Sequence, residues 1–191
     1  MITAMLLLLV LISTKISSYY FMNQLYKKYI KEYPDFPIDG INFLDLNPIY
    51  KDPPLRRKLV KDCISCLETS ITTDFDYIAA VESRGFIIGS ILAYELDKGI
   101  ILLRSKKKRL PGKVYSASYD LEYGQSSVEV QEGSGNILIF DDVLATGGTT
   151  KGSIACLIKA GYKPIGALYL VELKFLNSQI ILPYGSIIQY E

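Results

Sequence analysis

Two adjacent acidic residues followed by a turn of small residues form the part of this sequence best suited to chemistry. Asp141 and Asp142 follow a short run of apolar residues. The turn after them consists of Ala145, Thr146, Gly147, Gly148 and Thr149. Backbone N–H groups at a helix start lack partners within the helix and lie at the positive end of its dipole, so this turn suits a phosphate. Because like charges repel, the carboxylates suit sugar hydroxyls or a hydrated divalent cation beside that phosphate.

Other kinds of site also contain acidic residues after a strand, and the sequence argues against each of them. A nucleotide hydrolase needs the motif G-x-x-x-x-G-K-[ST], which does not occur in this sequence. The dinucleotide-binding fingerprint G-x-G-x-x-G is also missing. Ordinary capping of a strand–loop–helix by Asp and Thr explains neither the two adjacent acids nor the two adjacent glycines. The favoured interpretation is therefore a ligand with a phosphate at one end and hydroxyl groups next to it.

A second candidate for anion binding is Arg84, which lies between Ser83 and Gly85 after another apolar run. A guanidinium at a strand end and helix start can bind phosphate oxygens while the helix start adds N–H donors. The alternative is an ordinary surface arginine on a helix cap. Two turns suited to phosphate at neighbouring strand ends favour the first interpretation, with phosphate groups at both ends of the ligand.

The basic run from Arg104 to Arg109 and the turn at Glu122 and Tyr123 are the remaining candidates. A mobile basic loop can close over a pyrophosphate leaving group, although a solvated loop is the alternative. The chain has 21 Lys and Arg against 20 Asp and Glu, so no excess charge favours binding to nucleic acid or a membrane surface. Because the chain has no histidine, a carboxylate such as Glu122 is the best proton acceptor if the reaction needs one.

The composition of the 191 residues excludes several classes of site. Without histidine there is no Ser-His triad and no His-based metal site. Three cysteines argue against a disulfide framework, and Cys63 and Cys66 share the apolar stripe of a predicted helix, which favours core packing. Residues 1–21 contain an apolar run too short to span a bilayer. We expect this segment to be an extension that need not belong to the mature protein, and Met22 offers an alternative start.

Strand and helix patterns alternate through the central part of the chain. This alternation predicts a parallel sheet flanked by helices, with ligands bound beyond the C-terminal ends of the strands. An extended loop is expected over Tyr33–Pro48, before the sheet. The predicted helices are Gln24–Lys31, Asp52–Leu67, Gly85–Leu96 and Thr150–Ala160. The predicted strands are Tyr77–Val81, Ile100–Arg104, Ile137–Phe140 and Ile165–Leu173, with a hairpin over Val114–Val130.

Several segments together resemble the adenine phosphoribosyltransferases of the type I phosphoribosyltransferase family, over residues 23 to 191. The segments that carry the resemblance are Pro34–Pro37 with Gly40 and Phe43, Ser83–Phe86, Leu110–Gly112, Leu121–Gly124, Asp141–Thr149, Leu170–Leu173 and Gln189–Glu191. The resemblance implies one domain over residues 22–191, with a central parallel sheet flanked by helices and an N-terminal base-binding hood. It also implies conversion of adenine and phosphoribosyl pyrophosphate to AMP and pyrophosphate.

The resemblance further assigns roles to the candidate residues. The turn from Ala145 to Thr149 would bind the 5′-phosphate, and Asp141 with Asp142 the ribose hydroxyls. Arg84 would bind pyrophosphate within a turn that often contains a non-proline cis peptide. The remaining assignments are adenine between Phe43 and Leu173, base recognition by the backbone at Asn42 and Leu44, proton acceptance by Glu122, cover of the ribose by Tyr123, and contact of Arg104 with a neighbouring subunit's site.

The resemblance also implies Mg²⁺ carried by substrate pyrophosphate and water rather than by protein ligands, and a homodimer. Access to a cytosolic phosphorylated substrate favours a cytoplasmic location, and we expect neither nucleic acid nor a membrane as partner. Leu44 departs from the family pattern, since many members have Arg or Lys there. Two alternatives stay open. The base could be another purine such as hypoxanthine, guanine or xanthine, for which Lys174 is the candidate contact. The chain could also be a regulator that binds phosphoribosyl pyrophosphate without turnover.

Overall fold

The computed structural model describes residues 22–105, 110–121 and 124–191. The chain divides into two compact units, with the boundary between Lys58 and Leu59. The expectation for residues 1–21 lies outside the described residues, and the single domain over residues 22–191 stays a prediction. No helix of the described part is both long enough and apolar enough to cross a membrane.

The first unit consists of short elements. Residues 22–27 form helix α1, so the helix predicted to Lys31 ends earlier. The elements that follow are β1 Lys31–Tyr33, β2 Phe43–Asp45 and α2 Asn47–Lys51. The two strands pair antiparallel, with Tyr33 opposite Phe43. The connecting turn is fixed by Asp35, whose Oδ1 accepts the Gly40 N–H at 2.8 Å. The predicted loop therefore contains a small strand pair.

Helix α3, Pro53–Ser70, begins as predicted. Asp52 Oδ1 accepts the Leu55 N–H at 2.9 Å, which satisfies one of the donors that a helix start leaves unpaired. Cys63 is fully buried and Cys66 is partly buried. Burial raises the pKa of the Cys63 thiol well above its ordinary value. Both are free thiols, so the prediction of core packing is confirmed.

The second unit contains a seven-stranded sheet in the order β5-β6-β4-β3-β7-β8-β9. The five strands from β4 to β9 in this order are parallel, and the β5–β6 hairpin adds to β4 in the antiparallel direction. The bounds are β3 Tyr77–Val81, α4 Gly85–Glu95, β4 Gly99–Ser105, β5 Val114–Leu121, β6 Gly124–Gln131, β7 Gly135–Leu144, α5 Gly148–Ala160, β8 Tyr162–Leu173, a 3₁₀ turn Lys174–Leu176, and β9 Tyr184–Tyr190. The predicted α/β class is confirmed, although β9 was not predicted.

The centre of the sheet is apolar on both faces. Four consecutive residues of β7, from Ile137 to Phe140, are fully buried. A continuous apolar run of this kind is typical of a parallel strand covered by helices. The polar residues that follow the run are therefore brought to the C-terminal edge of the sheet by a strand with a fully buried centre.

Helix α5 packs against the predicted hairpin of β5 and β6. The Cys156 thiol donates to the backbone oxygens of Tyr115 at 3.3 Å and Val128 at 3.5 Å, one in each strand of the hairpin. Burial raises the pKa of Cys156 to about 11, so the thiol stays protonated at neutral pH. Gly152 lets the Tyr119 ring approach, since a Cβ at Gly152 would lie 2.3 Å from Tyr119 Cδ1. Helix α5 therefore supports both strands of the hairpin.

Candidate functional site

The acidic pair lies within the last residues of β7 rather than after its end. The strand was predicted to stop at Phe140, but it continues to Leu144 because Val143 and Leu144 pair with β8. Asp142 is 4% exposed, and Asp141 is partly buried. Asp141 Oδ1 accepts the backbone N–H of Asp142 at 2.9 Å. This hydrogen bond orients the Asp141 carboxylate at the C-terminal edge of the sheet.

The turn after the acidic pair leads directly into helix α5. The helix begins at Gly148, two residues before the predicted start at Thr150. Gly147 has φ 84°, a left-handed conformation that favours glycine. A Cβ at Gly147 would also lie 2.8 Å from Ile180 Cδ1. Gly148 and Thr149 therefore lie in the first helical turn, where backbone N–H groups are available to an anion.

Arg84 and the acidic pair meet in the structure. Arg84 Nε lies 2.6 Å from Asp142 Oδ2. Residues 82–84 connect β3 to α4 and form the Arg84 loop. A Cβ at Gly85 would lie 3.1 Å from the Phe140 backbone oxygen and 3.5 Å from Asp141 Oδ1, so glycine allows the Arg84 loop to pack against β7. The Arg84 side chain is 36% exposed, which leaves part of it accessible to a ligand. The peptide bond between Glu82 and Ser83 is cis, as the resemblance implied for this turn.

Glu82 connects the Arg84 loop to the end of β4. Its Oε2 accepts the Ser105 N–H at 2.7 Å and lies 3.1 Å from Arg104 Nε. Burial would raise the pKa of the Glu82 carboxyl, but the hydrogen bonds from Ser105 and the charge of Arg104 outweigh it, and the pKa is lowered. Arg104 thus lies next to the Arg84 loop of its own subunit, and its contact with a neighbouring subunit stays a prediction.

The acidic pair has unusual electrostatics. Burial, followed by the charge of Asp142, raises the pKa of the Asp141 carboxyl well above its ordinary value. Burial likewise raises the pKa of Asp142, although the charge of Arg84 opposes this. Two carboxylates so close cannot both ionise easily. A ligand that supplies hydroxyl donors or a developing positive charge would favour their charged forms.

The predicted base-binding residues are found at two places. In the first unit, the Phe43 ring packs edge-on against Phe36, with the ring centroids 5.3 Å apart. Asn42 Nδ2 donates to Glu32 Oε2 at 2.8 Å, and Leu44 is buried. In the second unit, Leu173 ends β8 and is partly buried. Glu122 and Tyr123 lie outside the described residues.

A buried carboxylate at the end of β8 was not predicted to have a structural role. Glu172 is 5% exposed. Its Oε1 accepts the Tyr184 hydroxyl at 2.9 Å. Its Oε2 accepts the Ser186 hydroxyl at 2.7 Å and Gln189 Nε2 at 3.1 Å. The sequence signal was an acid inside an apolar strand, which requires hydrogen-bond donors from elsewhere. Those donors come from β9.

Within the described residues, no group of three His, Cys, Asp or Glu side chains is placed to hold a metal ion. Asp142 is paired with Arg84, which leaves the partly buried Asp141 as the carboxylate better placed for a water of a hydrated cation. Such an arrangement fits a divalent ion that brings most of its own ligands.

Replacing Asp141 tests the electrostatic cost of the pair. Asp141→Asn keeps an oxygen that can accept the Asp142 N–H but removes a carboxylate whose pKa is raised. The folded protein retains protons that unfolded aspartate has lost above about pH 4, so this pair lowers the unfolding free energy as pH rises. We expect Asp141→Asn to be more stable than the wild type at neutral pH, with the difference shrinking towards acidic pH. Urea unfolding of both proteins, at neutral pH and at acidic pH, measures this difference in unfolding free energy.

The matched control is Asp74→Asn, because a hydrogen bond from Lys98 lowers the pKa of the Asp74 carboxyl. Removing a carboxylate whose pKa is lowered has the opposite sign, so this variant should gain no stability at neutral pH. An Asp141→Asn protein that is no more stable than the wild type would contradict the account.

Comparison with known proteins agrees with this geometry. A family model described as the phosphoribosyl transferase domain matches residues 49–174. The adenine phosphoribosyltransferase of Acetivibrio thermocellus is 41% identical over 174 residues, which cover 86% of this chain and 98% of that protein. The adenine phosphoribosyltransferase of Prochlorococcus marinus is 47% identical over 158 residues, which cover 80% of this chain and 89% of that protein.

Solved structures of adenine phosphoribosyltransferases are also similar to this chain. An adenine phosphoribosyltransferase from Thermoanaerobacter pseudethanolicus has a TM-score of 0.80 at 36% identity, covering 87% of this chain and 99% of that one. The Saccharomyces cerevisiae enzyme, complexed with adenine and an imino-altritol bisphosphate, has a TM-score of 0.79 at 31% identity, covering 90% and 99%. The chain therefore belongs to the phosphoribosyltransferase family and, within it, to the adenine phosphoribosyltransferases.

Proposed function

We propose that this chain transfers the phosphoribosyl group of phosphoribosyl pyrophosphate to adenine, forming AMP and pyrophosphate in purine salvage. The observation that carries the proposal is the meeting of Arg84 with Asp142 at 2.6 Å, beside the glycine turn that begins α5. This arrangement combines a guanidinium and a helix start, both suited to anions, with a carboxylate pair. A phosphorylated sugar with a pyrophosphate group has the complementary chemistry.

The names of the relatives support the choice of base. The relatives from A. thermocellus and P. marinus are both adenine phosphoribosyltransferases. The S. cerevisiae structure contains adenine together with a sugar-like bisphosphate. Since this chain matches these proteins over most of their length, adenine is the substrate we assign. Hypoxanthine, guanine or xanthine would require a contact to the base oxygen, for which Lys174 is the candidate.

Departure of pyrophosphate from the anomeric carbon leaves positive charge on the ribose. The carboxylates of Asp141 and Asp142 would stabilise that charge and bind the ribose hydroxyls. The N–H groups from Gly147 to Thr149 would hold the 5′-phosphate, and Arg84 would stabilise the leaving group. Mg²⁺, bound through pyrophosphate oxygens and water, would supply further positive charge to the leaving group. Fixing both ends of the sugar keeps the reacting carbon in line with the base.

The remaining roles complete this proposal. Phe43 and Leu173 would contact the faces of adenine, and the backbone at Asn42 and Leu44 its edge. The buried Leu44 side chain suits a position where only the backbone contributes. Tyr123 would cover the ribose. Because phosphoribosyl pyrophosphate is a cytosolic metabolite, we assign the protein to the cytoplasm.

A turnover assay with alternative bases tests the proposed reaction. The protein, phosphoribosyl pyrophosphate and Mg²⁺ are incubated with adenine or hypoxanthine, and the nucleotide product is identified by chromatography. We expect AMP from adenine, little IMP from hypoxanthine, and loss of AMP formation when EDTA removes Mg²⁺. Faster turnover of hypoxanthine than of adenine would contradict the assigned base, and binding of phosphoribosyl pyrophosphate without turnover of any base would favour a regulator.

Glu122 is the proposed proton acceptor, which gives a second test. Glu122→Gln removes the basic carboxylate at almost constant size, so we expect turnover to fall roughly a hundredfold, as for loss of a general base. Binding of phosphoribosyl pyrophosphate, measured by calorimetry, should be retained. Glu132→Gln is the control, because Glu132 is an exposed carboxylate near the base of the same hairpin and pairs with Lys113. Unchanged turnover of Glu122→Gln would remove Glu122 from the mechanism.

We also propose a homodimer that buries the outer face of α4 and β4. Helix α4 is apolar nearly all round, which is typical of a helix covered on more than one side. Its outer stripe includes the exposed Ile87 and Tyr94. The exposed Ile100 and Leu102 of β4 add to this surface. Arg104 follows them at the next position of the same strand face, so a partner packed here would bring Arg104 close to the neighbouring subunit.

Charge placed on this surface should prevent association. We expect the double variant Ile87→Asp with Tyr94→Asp to sediment as a monomer under conditions where the wild type is a dimer, because two charges would be buried without partners. Ile158→Asp is the control, since Ile158 is an exposed apolar residue on α5 rather than α4. A wild type that sediments as a monomer, or a double variant that stays dimeric, would exclude this interface.

A further inference from the structure

A buried pair of hydroxyl groups lies directly beneath the proposed phosphate turn. Thr150 Oγ1 and Tyr169 Oη are 2.7 Å apart and share a hydrogen bond in which either can donate. Tyr169 is fully buried and Thr150 is 3% exposed. Neither side chain can therefore reach a ligand on the surface, and their contact joins α5 to β8 inside the protein.

Thr150 is well placed to fix the turn because it follows Thr149 in the first turn of α5. The cap residue of this helix is Gly147, so no side chain at the cap position bonds to the helix start. A Ser, Thr, Asp or Asn at the cap position can perform that task through its side-chain oxygen. Here the Thr150 hydroxyl connects the first helical turn to the sheet instead, at the point where the N–H groups for the phosphate are presented.

Tyr169 is itself held firmly on the other side of this contact. It pairs with Asp141 across β7 and β8. Its ring packs edge-on against Tyr184, with the centroids 5.9 Å apart, and the Tyr184 hydroxyl donates to Glu172 Oε1. Burial raises the pKa of Tyr169 well above its ordinary value, so the hydroxyl remains neutral. The strand residue opposite the ribose-binding acid therefore also supports the phosphate turn.

From this geometry we infer that Tyr169 and Thr150 are positioning residues, which hold the first turn of α5 in the orientation that binds the 5′-phosphate of phosphoribosyl pyrophosphate. This inference rests on the proposed function, because it assigns the turn to that phosphate. It predicts that loss of the hydroxyl pair weakens the binding of phosphoribosyl pyrophosphate but not the binding of adenine. Adenine carries no phosphate, so its KM should change little.

The test uses Tyr169→Phe and Thr150→Val, which remove one hydroxyl each and keep the size of the side chain. We expect either change to raise the KM for phosphoribosyl pyrophosphate about two- to tenfold, the range for loss of one net hydrogen bond. The double variant should be little worse than either single variant, because both remove the same contact. Thr150→Ser keeps the hydroxyl and should restore a KM near that of the wild type.

Tyr162→Phe is the matched control. Tyr162 lies at the opposite, N-terminal end of β8, so this substitution should leave the KM for phosphoribosyl pyrophosphate unchanged. Calorimetric titration of phosphoribosyl pyrophosphate with Mg²⁺ gives a second readout that does not depend on turnover. If Thr150→Val fails to fold, Tyr169→Phe and Thr150→Ser carry the comparison.

The outcomes separate this inference from the proposed function. A wild type that neither turns over adenine nor binds phosphoribosyl pyrophosphate refutes the proposed function and removes the basis of the inference. A wild type that is active while the Tyr169→Phe variant loses only thermal stability refutes the inference alone. Equal changes in both KM values, or additive effects in the double variant, would also overturn it.

Discussion

The burial of two adjacent carboxylates at the end of the central strand is the constraint on which the site depends. Asp141 and Asp142 follow the four fully buried residues of β7, and burial raises the pKa of both. The structure offsets part of this cost with the Arg84 guanidinium at 2.6 Å from Asp142. Gly85 permits this contact because it brings the Arg84 loop against β7. The Arg84 guanidinium is therefore in place before a ligand binds, whereas the charged forms of the two carboxylates are favoured only by a ligand that offsets their burial.

The residues proposed for the site lie at the ends of different strands, as expected for an open α/β sheet. Strand β3 leads to the Arg84 loop, β7 to the acidic pair and the glycine turn, and β8 to Leu173. Two further carboxylates, Glu82 and Glu172, connect neighbouring strands through hydrogen bonds. Glu82 binds the end of β4, and Glu172 receives its donors from β9. Glu172 is buried and Glu82 is partly buried, and both carboxylates have hydrogen-bond donors, which is the usual condition for burying a charge.

The sequence predicted the elements with strong local signals. Strand β3 has the predicted bounds, Tyr77–Val81, because an apolar run is flanked by polar residues. Helix α5 ends as predicted, with Gly161 in the left-handed conformation. Strand β7 is longer than predicted because its last residues, although partly polar, pair with β8. Strand β9 was missed because it contains polar residues whose partner, Glu172, is remote in the sequence.

The site residues also divide into those with a local sequence signal and those whose contacts depend on residues remote in the sequence. The acidic pair, the glycine turn and Arg84 were identified by residue type and spacing, and the structure brings Arg84 and Asp142 together. The contact between Thr150 and Tyr169 could not be predicted, because nothing local indicates which of many hydroxyl groups will meet inside the protein. The same holds for the pairing of β1 with β2, where each strand has only three residues.

The close approach of Tyr119 to Gly152 has a consequence for how this chain can diverge. A single methyl group at position 152 would lie 2.3 Å from the tyrosine ring, so the helix and the hairpin would have to separate before any larger residue fits. Cys156 faces the same hairpin one turn further along. Evolutionary drift on this side of the helix is therefore restricted to paired changes in both elements, whereas the opposite side, around Ile158, can vary independently.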